Sequence, residues 1–201
     1  MPKFPRPLVA LPVVLVLLTG FLVLGVASHI SALKSGSEIT VAARGYDPRD
    51  VLLGHYVRIQ PELETVLSEE QSDRIRANFG FGTRRFNTVN AWVTLERRSG
   101  SWSVIDVTAE KPATANTNDR VSFNTLTRIT ASQVDDEPLT YTVRPQFDMN
   151  RFYANQSDAL DIERAIRNNS EVRLIISITK KGDALLKGVS VDDHRYEISW
   201  W

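Results

Sequence analysis

The chain has 201 residues, 42% of them hydrophobic and 24% charged, which is the composition of a folded domain of ordinary size and not of a disordered chain. Basic and acidic side chains balance at 24 each and form no basic stripe, which argues against nucleic acid as a partner. There is no cysteine, so disulfides, thiol catalysis and cysteine-ligated metals are excluded.

The charges are unevenly spread. Lys3 and Arg6 are the only charged residues before Lys34, and the first acidic residue is Glu38. The chain from Ser28 onward therefore carries 22 basic and 24 acidic side chains, a net of −2. Between Leu8 and Ala27 the sequence LVALPVVLVLLTGFLVLGVA holds no charge. Twenty helical residues rise about 30 Å, the thickness of a bilayer's hydrocarbon core. Residues 8–27 are thus expected to be a transmembrane anchor whose partner is the lipid bilayer. The short tail 1–7 is then cytoplasmic, because Lys3 and Arg6 obey the positive-inside rule. The remainder lies outside, on the periplasmic side of the cytoplasmic (inner) membrane. A buried core helix would be shorter or carry a polar face. A signal peptide cleaved after Ala27 is the competing reading, since Gly25-Val26-Ala27 has the small residues for it. The apolar run exceeds the ~7–15 residues of a signal h-region, which favours a retained anchor.

Residues 28–37 are polar and contain glycine and serine, as in a linker. Alternating apolar residues then dominate residues 38–201 and predict strands at Glu38–Ala43, His55–Gln60, Asn90–Arg98, Ser101–Ala109, Leu126–Ala131, Leu139–Arg144, Val172–Thr179 and Ala184–Val191. A last strand carries Tyr196, Ile198 and Trp200. Ser99-Gly100 and Lys181-Gly182-Asp183 are the tight turns. Two helices interrupt the pattern. One starts at a Ser68/Gln71 capping box and runs to about Asn78; the other spans Ser157–Asn168. Pro112–Asp119 reads as a loop. The expected fold class is α+β: a β-rich, mostly antiparallel exported domain with two short helices, behind one transmembrane helix.

Candidate chemistry is sparse. His29, His55 and His194 have no metal-ligand spacing, and no metal or cofactor is expected. Asp135-Asp136-Glu137 and Asp192-Asp193 lack the alternate-residue spacing of a calcium loop and read as solvated turns. Phe79-Gly80-Phe81-Gly82 ends a helix, so it reads as a C-cap and not as a phosphate loop. No G-x-S-x-G is present; a Ser-Lys pair remote in sequence is the remaining route to a hydrolase.

The densest stretch is Gly45-Tyr46-Asp47-Pro48-Arg49-Asp50-Val51-Leu52-Leu53-Gly54-His55-Tyr56-Val57-Arg58-Ile59. Asp47-Pro48 starts a turn, and Gly54 lets the chain swing into a strand. One reading is a turn that feeds a core strand. The other is a recognition rim for a partner, formed by Asp47, Arg49, Asp50, His55, Tyr56 and Arg58.

This stretch resembles the GDYXXLXY protein family, which writes it as D-P-R-D-L-x-x-G-D-Y-x-x-L-x-Y. Asp47, Pro48, Arg49, Asp50, Gly54 and Tyr56 fit, while His55 stands for the aspartate, Ile59 for the leucine and Pro61 for the last tyrosine. The hairpin from Trp92-Val93-Thr94-Leu95-Glu96 to Gly100-Ser101-Trp102 is similar to the family's second strand pair. Arg151-Phe152-Tyr153, a helix and the Lys181-Gly182-Asp183 hairpin are similar to its C-terminal half. The resemblance implies a membrane-anchored accessory protein of the bacterial envelope, without established activity, whose partner is a polytopic membrane protein. Two alternatives stand beside it: an envelope hydrolase, peptidase-like, and a domain that binds an apolar ligand or lipid.

Overall fold

A computed structural model describes residues 6–45, 56–80, 86–113, 116–132, 139–149, 151–168 and 170–198. The first element is a 30-residue helix, α1 (Arg6–Ser35), with Pro12 near its start. From Leu11 to Val26 its large apolar side chains, among them Leu17, Phe21 and Leu24, are exposed on every side. The helix is long and apolar enough for a single membrane span, a property that a signal sequence shares. It does not end at Ala27. Ser28–Ser35 was expected as linker but continues the helix, and Gly36 alone separates it from the first strand. Ile30 and Leu33 give these last turns an apolar edge, and no helix breaker occurs before Gly36.

The next elements are β1 (Ser37–Gly45), β2 (Tyr56–Pro61), β3 (Thr65–Val66), α2 (Glu69–Phe79), β4 (Phe86–Arg98), β5 (Ser101–Thr108) and β6 (Arg120–Ser132). They are followed by β7 (Thr140–Pro145), β8 (Arg151–Tyr153), α3 (Gln156–Arg167), β9 (Val172–Ile178), β10 (Ala184–Val191) and β11 (His194–Glu197). The strands form a six-stranded sheet, β11-β10-β9-β1-β2-β8, and a five-stranded sheet, β3-β7-β6-β4-β5. Each described strand pair is antiparallel. The fold is α+β and β-rich, as the alternation implied.

One core joins both sheets. Ile39, Val41, Leu174 and Ile176 of the first meet Val93, Leu95, Phe123, Ile129 and Tyr141 of the second, with Ile75 of α2 and Ile162 of α3 added. The five-stranded sheet curls until its edges touch: the Val104 N–H of β5 donates to Thr65 Oγ1 of β3 at 3.2 Å. Helix α2 spans the same seam. Its Gln71 amide donates to the Ile105 carbonyl at 2.7 Å, beside a break in the β4–β5 register.

Local signals explain the ends of the elements. The Ser68/Gln71 capping box forms in both directions, and Gly80 closes α2 at φ 62°. Ser99 and Gly100 both take positive φ between paired Arg98 and Ser101, the geometry of a two-residue hairpin. β3 and β8 were not expected as strands, and three expected strands differ in extent. β4 begins at Phe86 and β6 at Arg120, so these two pair over most of their length, from Phe86↔Thr130 to Glu96↔Arg120. The last strand is His194–Glu197 and contains Tyr196; Asp192 and Asp193 adopt positive φ and turn the chain into it, Ile198 follows it, and Trp200 lies outside the described residues.

Candidate functional site

The motif lies in the sequence between β1 and β2 and runs into β2. Asp47, Arg49, Asp50 and His55 lie outside the described residues. Tyr56 and Arg58 open β2, in register with Tyr153 and Arg151 of the edge strand β8. Val57 between them and Ile59 after them are buried in the core. The end of the motif is therefore a core strand at one side of the six-stranded sheet, covered by α3.

A second region went unnoticed in the sequence: the outer face of the same sheet. Residues alternate along β1, so Ile39 and Val41 enter the core while Glu38 and Thr40 face away from it. Glu38 Oε1 and Oε2 accept from Arg195 Nη1 and Nη2 at 2.9 and 3.0 Å, a bidentate pair. Lys187 Nζ adds a bond to Glu38 Oε2 at 2.8 Å, and Arg195 also binds Glu197. Lys187 reaches Glu38 because the β9–β10 register slips at this residue and re-aims it. Arg195's hydrogen bonds hold the Glu38 carboxyl below its ordinary range, with Lys187 adding to this and partial burial opposing it. The same pairing raises Arg195, so both stay charged.

Beside this network is an open groove of about 220 Å³, lined by Thr40, Arg173, Ile175, Ser190, Asp193 and Arg195 among others. Glu171 and Asp192 close one end. The Glu171 N–H donates to Asp192 Oδ1 at 3.1 Å, and Arg173 Nε donates to Glu171 at 2.8 Å. The groove is mixed in charge and mostly polar. No sequence motif announces it, because its residues come from β1, β9, β10 and β11 and meet only through strand pairing.

The remaining candidates are accounted for one by one. His194 stacks edge-on against Tyr196 at 4.6 Å, and His29 sits on α1. No group of three or more metal-ligating side chains occurs among the described residues. Asp192-Asp193 is the β10–β11 turn, whereas Asp135-Asp136-Glu137 lies outside the described residues. The buried Ser72 accepts from the Tyr141 N–H, Ser122 bonds Thr94 and Ser177 bonds the Ala32 carbonyl. Lys111 bonds the Lys180 carbonyl and lies 5.3 Å above the Trp92 ring.

No curated protein and no solved structure matches the chain. A family model does. It covers residues 18–189, from the middle of α1 to near the end of β10, and so includes half of the apolar helix, the motif, the five-stranded sheet and the six-stranded sheet except its edge strand β11. The chain belongs to the GDYXXLXY protein family.

Proposed function

We propose that this is a membrane-anchored accessory protein of the bacterial cell envelope, whose exported domain binds a membrane protein or other envelope component. In this reading α1 is a retained anchor, with its N-terminus in the cytoplasm and the two-sheet domain in the periplasm. The observation that carries the reading is α1 itself, an apolar helix exposed all round and fused by one residue to a folded domain. An uncovered apolar surface of that size is suited to lipid and costly in water. Lys3 and Arg6 before the helix, against Lys34 alone close behind the apolar run, support the orientation.

The recognition rim is assigned to the motif loop, Asp47, Arg49, Asp50 and His55, together with Tyr56 and Arg58 at the start of β2. The register that ties Tyr56 and Arg58 to the edge strand β8 supports this, because it sets the end of the motif beside an edge of the sheet. Crosslinking in intact membranes, with a photoreactive residue at Arg49, tests the proposal. A discrete adduct with a membrane or envelope protein, lost in the Asp47→Ala/Asp50→Ala variant, is expected. Equal adducts from Arg49 and from a control position at Arg97 would contradict it.

A further inference from the structure

We infer that α1 and the six-stranded sheet form one rigid body, so that the domain is mounted on the membrane at a fixed angle and does not swing on a tether. The junction is built from both sides. On the helix side, the last turns of α1 land on β9 and β10. Leu33 is buried to 8% exposure there, and Ser177 Oγ of β9 donates to the Ala32 carbonyl at 3.4 Å. That bond takes one of the carbonyls left open at a helix end. Neither Leu33 nor Ile175, one step further along the same face and 1% exposed, belongs to the main core. Leu33 is buried at the last turn of α1, and Ile175 forms a small buried apolar patch on the outer face, two residues before Ser177. The connector is only Gly36. A side chain there would collide with the Ser177 hydroxyl and the Ile178 carbonyl, so helix and strand approach as closely as glycine allows.

On the strand side, Glu38 is the second residue of β1. Its carboxylate is held by Arg195 of β11 and Lys187 of β10. Glu38, the second residue after the connector, is thus tied across the sheet to the C-terminal hairpin. Ser37↔Ile178 and Glu38↔Ser177 pairing begins at once after the turn. From Ala27 to Ser35 the helix rises about 12 Å. A mount of that length holds the sheet close above the bilayer surface, facing one way. A flexible ten-residue linker would instead let the domain sample many orientations.

The inference is independent of which partner is bound, and its test uses no partner. The chain lacks cysteine, so spin labels can be placed at will. Full-length protein in phospholipid nanodiscs is labelled at Leu24→Cys on α1 and Arg167→Cys on α3, and the distance distribution is measured by pulsed electron resonance. A single narrow distribution is expected. Insertion of two glycines before Gly36, or Leu33→Asp, should broaden it about twofold or more, as a flexible joint would. A second pair, Arg97→Cys with Arg167→Cys, lies within the domain and should stay narrow in all variants, which shows that the fold is intact. A parent distribution as broad as that of the glycine-inserted variant overturns the inference. A narrow distribution that survives both the insertion and Leu33→Asp also overturns it, because something other than this junction would then hold the helix.

Discussion

The two faces of the six-stranded sheet are made by the same strands and have opposite chemistry. The inner face presents Ile39, Val41, Leu174, Ile176, Ile178 and Val189 to the core. The outer face presents Glu38, Thr40, Arg173, Ser190 and Arg195, with an ion-pair network and a polar groove. On this outer face Ile175 is a buried apolar residue, two positions from the Ser177 that bonds the end of α1. The difference separates what holds the domain together from what it can offer to something else. The inner face supplies stability by burial. Partly exposed ion pairs supply little stability and much orientation.

The largest expected effect lies on the inner face. Ile176→Ala removes a fully buried side chain and should cost about 4 kcal/mol in thermal or urea unfolding. Ile175→Ala, its neighbour on the other face, should cost about 2 kcal/mol, since the patch it belongs to is small. Adding the two-glycine insertion should shrink the second cost and leave the first unchanged. Equal costs that ignore the insertion would erase the distinction between the faces.

The same contrast between covered and open sites recurs at two turns. Gly182, at φ 94°, lies under the Trp92 ring, and its carbonyl accepts from the Asn124 N–H at 2.9 Å. Gly100, at φ 86°, faces open space. Gly182→Ala combines backbone strain with a collision and should cost about 3 kcal/mol; Gly100→Ala carries the strain alone, about 1 kcal/mol. Equal midpoints for the two variants would show that Trp92 does not pack on the turn.

On the outer face, Glu38→Gln should cost about 1 kcal/mol near neutral pH, a small value because the pair is partly in water. Its pH dependence has a definite sign. The folded-state pKa of Glu38 lies below the ordinary 4.5, so its contribution is complete above that value. It is lost as the pH falls through the lowered folded-state value. The gap between parent and variant should therefore close on acidification and stay constant from pH 6 to 8. A gap that widens in acid would contradict the pairing.

The smallest effect on stability is expected in the motif loop. Arg49→Ala should shift stability by no more than about 0.5 kcal/mol and yet weaken capture of the partner. Loss of stability with the partner still bound would make the loop a purely structural turn.

How far the sequence reveals this depends on whether a feature is local. Capping at Ser68 and Gly80, the Ser99-Gly100 turn and the alternation in β4 and β5 involve neighbours in the chain and could be read directly. β3 and β8, with two and three residues, are too short to show a period. The β6 segment from Arg120 was hidden because Ser122, Asn124 and Thr125 dilute its apolar pattern. The end of α1 was misread because Ser28, Ser31 and Ser35 look like linker, while Ile30 and Leu33 form an apolar edge only once β9 is beside them. One clue was present: Leu174-Ile175-Ile176 breaks the alternation, as a strand covered on both faces should. The groove and the Glu38–Arg195 pair, 157 residues apart, left no trace in the sequence.

The most direct test of the account is the topology of the full-length chain. In intact cells a membrane-impermeant maleimide should label Arg167→Cys, whereas Lys3→Cys should react only after the inner membrane is opened, and both proteins should keep their full mass in the membrane fraction. Labelling of Lys3→Cys from outside, or recovery of a soluble protein that begins at Ser28, would contradict a retained anchor with its domain in the periplasm.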